Sequence, residues 1–145
     1  RTIENIYMSV TYISRADKDE RIAIRVSAKD KFAIELLAQK LGKTISALAK
    51  EALEKSLKDP ESGLLISRGS KQAYLPDLCW DPIESDRLVK LAMHAPHLLT
   101  NNDMLRWKVI AESKIYMSTD GKPNFKKIRG DWQKITLKAT ELYNS

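Results

Sequence analysis

Arg21-Ile-Ala-Ile-Arg-Val-Ser27 is the stretch that decides the fold. Side chains alternate across a strand with period two, so Ile22, Ile24 and Val26 share one face and Arg21, Ala23 and Arg25 the other. One face asks for a core and the other presents guanidinium groups. A helix is expected to begin at once, because Ser27-Ala-Lys-Asp30 has capping-box spacing, in which hydroxyl and carboxylate satisfy N–H groups that a helix start leaves open. That helix should run to about Leu41 and end at Gly42, since only glycine takes a left-handed C-cap without steric cost. After the turn Gly42-Lys43, Thr44 or Ser46 caps a second helix, which runs to about Leu57 and stops before Asp59-Pro60.

Residues 34, 37, 38 and 41 make one apolar face of the first helix, and 45, 48, 49, 52 and 53 one face of the second. These faces are expected to close over Ile22, Ile24 and Val26. Phe32, Ala33 and Leu36 form a second apolar stripe on the first helix, either widening the core face or covered by the N-terminal segment or the C-terminal half. A lone strand cannot satisfy its own backbone N–H and C=O groups, and two short helices hold too little core for a stable monomer. The strand therefore needs a partner, and the cheapest is the same strand of a second copy. The two would form an antiparallel ribbon carrying two arginines per chain on its open face, a shape that fits the DNA major groove.

Residues 21–57 resemble the ribbon-helix-helix superfamily of MetJ/Arc/CopG-type DNA-binding proteins. The resemblance rests on Arg21-Ile-Ala-Ile-Arg-Val-Ser27, Ile34, Leu37-Ala38, Leu41-Gly42, Thr44-Ile-Ser46, Leu48 and Ala52-Leu53, about a quarter of the chain. It implies a mainly α fold: an intertwined β-α-α dimer followed here by a helical C-terminal domain. It also implies base contacts from the outward strand face, Arg21, Ala23 and Arg25. Arginine donates two hydrogen bonds to guanine O6 and N7, whereas Ala23 departs from the polar residue common at such a position and offers at most contact with a thymine methyl. The family anchors phosphate at the start of its second helix, which here means Thr44, Ile45 and Ser46, with Lys43 adjacent.

The 145 residues are 43% hydrophobic, enough for one domain or two small ones without disulfides. A single cysteine, Cys79, fits a reducing compartment. No apolar run approaches a membrane span and no signal peptide opens the sequence, so a cytoplasmic protein without membrane partners is expected. The chain begins at Arg1 rather than Met, which leaves room for an upstream segment. Its net charge of +6 suits an anionic partner and is shared evenly, since residues 1–60 carry 12 basic and 9 acidic side chains and residues 61–145 carry 13 and 10.

Residues 1–20 read as an N-terminal arm or an extra strand: Ile6 to Ile13 suits either, and Ser14 to Glu20 is a charged connector. The DNA-binding domain spans 21–58, and 59–72, with Pro60, Gly63, Gly69 and several serines, reads as a linker. The remainder, 73–145, is expected to be helical: Asp81 to His94, a break at Pro96, a helix capped by Asn101 or Asn102 through Ser118, a turn at Asp120-Gly-Lys-Pro123, and a last helix from Asn124 to Tyr143 weakened by Gly130. Trp80, Leu88, Leu91, Trp107, Ile110, Ile115, Trp132 and Ile135 would supply its core.

His94, His97 and Cys79 do not make a convincing metal site, because Pro96 interrupts the histidines and a fourth ligand is missing. Lys122, Lys126, Lys127, Arg129, Lys134 and Lys138 surround Phe125 and Trp132. Lys126, Lys127 and Arg129 are the centre of a secondary DNA or partner contact, unless the segment is simply an amphipathic helix with Phe125, Ile128, Trp132, Ile135 and Leu142 inward. There is no Gly-rich phosphate loop, nucleophile elbow or zinc-ligand pair, so neither enzymatic activity nor a cofactor is expected. The reading is a homodimeric double-stranded DNA-binding protein acting as a transcriptional repressor, with higher-order assembly on DNA. Rival uses of the same DNA-binding end are an antitoxin, whose C-terminal part would wrap a toxin, a plasmid partition or conjugation accessory protein that recruits a protein partner, and a module whose ribbon only dimerises. An antitoxin's toxin-binding tail is commonly disordered when free, so the amphipathic C-terminal segments favour regulator or accessory protein.

Overall fold

A computed structural model describes residues 6–12 and 20–145, with side chains from Glu20 onward. The fold is mainly helical, with two small antiparallel strand pairs. The chain divides into two compact units, residues 1–63 and 64–145.

In the first unit, strand β1 (Ile6–Tyr12) pairs antiparallel with β2 (Glu20–Val26), with Ser9 opposite Ala23 and Thr11 opposite Arg21. Of the two readings of residues 6–13, the strand is the one found. It corrects the expectation that β2 lacks a partner within its own chain: the backbone groups along one edge of β2 are satisfied by β1. The connector before Glu20 lies outside the described residues.

Helix α1 (Ala28–Leu41) starts where Ser27 predicts, its hydroxyl accepting the Asp30 N–H at 3.1 Å. It ends on Gly42 at φ +64°, with Gly42 N–H donating to Gln39 O and Lys43 N–H to Ala38 O, the paired bonds of a Schellman cap. Of the two candidate caps for α2 (Ile45–Leu57), Thr44 is the one used; its hydroxyl accepts the Ala47 N–H at 3.1 Å.

The helices do not close over β2. Ile22 and Ile24 stay 57% and 42% exposed, as do large parts of Leu37, Leu41 and Leu53, and among the described residues of this unit the buried side chains are Ala38 and Ala49. The periodicity of these faces is correct, but the described residues of this unit supply no second layer to press against them. Phe32 and Leu36, the second stripe, are exposed as well.

The second unit does have a core. Strands β3 (Leu65–Arg68) and β4 (Lys71–Tyr74) form a hairpin in what the sequence reads as linker. Helices α3 (Leu75–Cys79) and α4 (Glu84–His94) follow, then a 3₁₀ turn at Pro96–Leu98, α5 (Asn101–Ala111), α6 (Phe125–Gly130) and α7 (Trp132–Asn144). Val89, Ile110, Ile128 and Ile135 are fully buried, joined by Leu88, Ala92, Leu99 and Tyr116, with Leu91, Trp107, Phe125 and Trp132 packed around them. A smaller cluster of Leu75, Cys79 and Ala95 takes Leu64, just before the hairpin, and Ile66 of β3.

Several sequence boundaries shift. Helix α4 begins at Glu84 because Asp81 instead accepts the Ile83 N–H at 2.8 Å, fixing a turn ahead of the helix. Thr100, not Asn101 or Asn102, caps α5, its hydroxyl accepting the Asp103 N–H; that helix ends at Ala111. The expected last helix is two, broken at Asp131, whose carboxylate accepts the Tyr116 hydroxyl at 2.8 Å. Trp80 and Ile115, expected in the core, are 59% and 56% exposed. Trp80 instead lies under the Arg87 guanidinium, 5.3 Å from its ring centre.

Candidate nucleic-acid interface

Arg21, Ala23 and Arg25 are all exposed on β2, held in extended backbone by the seven-residue pairing with β1. Two arginines four residues apart on one strand face project the same way. Each guanidinium is planar, permanently charged and shaped to grip two acceptors. Ala23 between them leaves room and adds no polar group.

The start of α2 supplies a second cationic feature. Thr44 occupies its own cap by taking the Ala47 N–H, which leaves the Ile45 and Ser46 N–H groups at the positive end of a thirteen-residue helix. Lys43 is less available than its position suggests, because its ammonium pairs with the Glu51 carboxylate two turns along α2. A phosphate arriving there would compete with Glu51.

The secondary candidates are largely absorbed by the second unit. Arg129 pairs with the buried Asp86 of α4 at 3.2 Å, and Lys127 with Asp131 at 3.5 Å. These two side chains tie α6 to its neighbours, and Lys126 stays on the surface. The segment is the amphipathic helix pair of the plainer reading, with Ile128 and Ile135 inside, although Leu142 is 41% exposed.

Asp131 is held below the usual carboxylate range, first by the Tyr116 hydroxyl, while burial and that same bond push Tyr116 up to about 12. Cys79 is buried, which raises its thiol, and it sits with Leu75 and Ala95. Among the described residues no three His, Cys, Asp or Glu side chains come together to hold a metal, and no helix is long and apolar enough to cross a membrane.

Sequence reasoning missed the β3–β4 hairpin. Its signal was present: a Gly69-Ser70 pair between two short runs, with Gly69 at φ +65°, is the two-residue loop whose first position favours glycine. Compared with protein-family models, curated proteins and solved structures, the chain matches none.

Proposed function

We propose that the chain is a homodimeric, sequence-specific double-stranded DNA-binding protein of ribbon-helix-helix type that acts as a transcriptional repressor. One observation carries the reading. The first unit couples an arginine-bearing strand to two correctly capped helices, yet leaves Ile22, Ile24, Leu37, Leu41 and Leu53 open to water. Exposed apolar surface on that scale suits an interface, and a second copy is the occupant that matches it with the same pattern of side chains. Dimerisation then sets two copies of Arg21 and Arg25 side by side.

Groove geometry restricts how the strands combine. Neighbouring strands lie about 4.8 Å apart, so β1 and β2 of two copies would span about 14 Å between outer backbones, wider than the major groove of about 12 Å. Two strands fit; four do not. The DNA-bound ribbon is therefore β2 against β2 of the second copy, with β1 drawn aside. Arg21 and Arg25 read base edges, and the start of α2 anchors phosphate. Occupancy of a short palindromic operator then blocks a promoter. The packed second unit, unlike a disordered tail, supports a regulator over an antitoxin.

The test is enrichment of duplexes from a random pool, followed by titration of Arg21→Ala and Arg25→Ala. Each variant should cost about 1–3 kcal/mol on the enriched duplex and relax base preference, while Lys43→Ala weakens every duplex alike. Equal losses for the arginine variants on enriched and scrambled duplexes would remove them as readers. Deleting residues 1–12 should preserve affinity; loss of binding would mean that the intrachain β1–β2 hairpin is itself the ribbon.

A further inference from the structure

The tip of the β3–β4 hairpin carries a charge arrangement that folding alone does not explain. Arg68 and Lys71 are opposite one another in the register, either side of the Gly69-Ser70 loop, and both are exposed. Like charges directly across a strand pair destabilise it. Among the described residues, no carboxylate pairs with either one; in the same unit Lys90, Arg106, Lys127 and Arg129 each pair with an aspartate, while Lys108, Lys114, Lys126 and Lys138 also stand without a carboxylate.

The hairpin is built to hold that tip out. Leu65, Ile66, Ala73 and Tyr74 at its base are half-buried, Ile66 against the Leu75, Cys79 and Ala95 cluster, while Ser67, Arg68, Lys71 and Gln72 are exposed. At about 3.4 Å per residue, the two outer pairs project roughly 7 Å beyond the packed base. The tip, Arg68-Gly-Ser-Lys71, has no apolar side chain to enter a lipid layer or a hydrophobic groove. Two cations on a short, two-residue loop suit a polyanion.

We propose that this tip is a second contact with the DNA backbone, Arg68 and Lys71 each neutralising a phosphate. The proposal rests on the DNA-binding reading and extends it to the second unit. Such contacts add affinity without sequence preference and make binding more sensitive to salt.

The experiment titrates full-length protein and the R68A/K71A variant against enriched and scrambled duplexes between about 50 and 200 mM salt. Two lost phosphate contacts should make the log–log salt slope shallower by about 1.8, so over this fourfold range the unsubstituted protein loses about twelvefold more affinity than the variant. The change should be equal on both duplexes, and R68K/K71R should restore the slope. Melting of the second unit should not fall, because a repulsive pair has been removed. An unchanged slope overturns the proposal, as does a loss confined to the enriched duplex, which would make the tip a base reader. An unchanged DNA slope with lost binding to polyglutamate would assign the tip to an acidic protein instead. If the unsubstituted protein binds neither duplex, the DNA-binding reading itself has failed, a result separable from every other outcome.

Discussion

The two units spend the same kind of sequence in opposite ways. Both are amphipathic, but residues 64–145 seal Val89, Ile110, Ile128 and Ile135 completely, while among the described residues of 1–63 only Ala38 and Ala49 are buried side chains of the core. Eight large apolar side chains among the described residues of the first unit are exposed: Ile22, Ile24, Phe32, Leu36, Leu37, Leu41, Leu53 and Leu57. An apolar stripe states a requirement for burial and does not say whether the same chain meets it. In the second unit five helices and a hairpin supply the opposing layer; in the first, the described residues supply none, and the proposed second copy would be its source.

The largest effect should come from breaking the first unit where a lone chain would not notice. Leu37 and Leu41 are 45% and 47% exposed, so Leu37→Asp with Leu41→Asp would be nearly silent in a monomer. In a dimer each buried leucine contributes about 1.5–3 kcal/mol, and four symmetry-related losses, about 6–12 kcal/mol, are comparable to the whole margin of a small domain. Sedimentation should show monomers and circular dichroism a loss of α1 and α2, with the second unit intact. Unaltered assembly would break the comparison at its centre.

Next in size is Ile128→Ala in the second unit. A fully buried isoleucine should cost about 2–5 kcal/mol, read by denaturant unfolding. The loss should not depend on protein concentration, because this core is complete within one chain. A concentration-dependent midpoint for the transition of this unit would mean that it too is shared between copies.

Most of the first unit was legible in the sequence. Ser27, Gly42 and Thr44 each act through local backbone geometry, which three or four residues are enough to specify. The pairing of β2 with β1 was not, because the choice between an intrachain and an interchain partner is non-local. In the second unit the periodic faces gave Leu88, Ile110 and Ile135, but Trp80 and Ile115 misled because hydrophobicity alone does not tell a helix face from a neighbouring turn. At the candidate interface the exposed arginines were readable from strand alternation. The Lys43–Glu51 and Arg129–Asp86 pairings were not, since they join residues on turns or helices whose relative rotation the sequence leaves open.

A smaller effect lies in how the second unit responds to pH. The folded state favours ionised Asp131, so its contribution is present above the ordinary value of 3.8 and lost as pH falls through the lowered one. Tyr116 has the opposite sense: folding favours its neutral phenol, a contribution complete below 10.0 and lost as pH rises towards about 12. Tyr116→Phe should lower the melting temperature by a few degrees at neutral pH, with the difference from the unsubstituted protein shrinking at both extremes. A difference constant from pH 3 to about 12 would show that packing, not the Tyr116–Asp131 bond, holds α7 in position. The smallest effect should be Glu35→Ala, which removes an exposed pair with Lys31 at 3.4 Å and should change stability by less than about 0.5 kcal/mol.

The contrast between the units is tested most directly by the mass of the full-length protein in solution, measured by sedimentation equilibrium at micromolar concentration. A second copy completing the first unit predicts twice the chain mass, falling to the chain mass when Leu37 and Leu41 are both replaced by aspartate. A well-folded species at the chain mass in the unsubstituted protein would contradict the account, because Ile22, Ile24 and the open faces of α1 and α2 would then be stable in water.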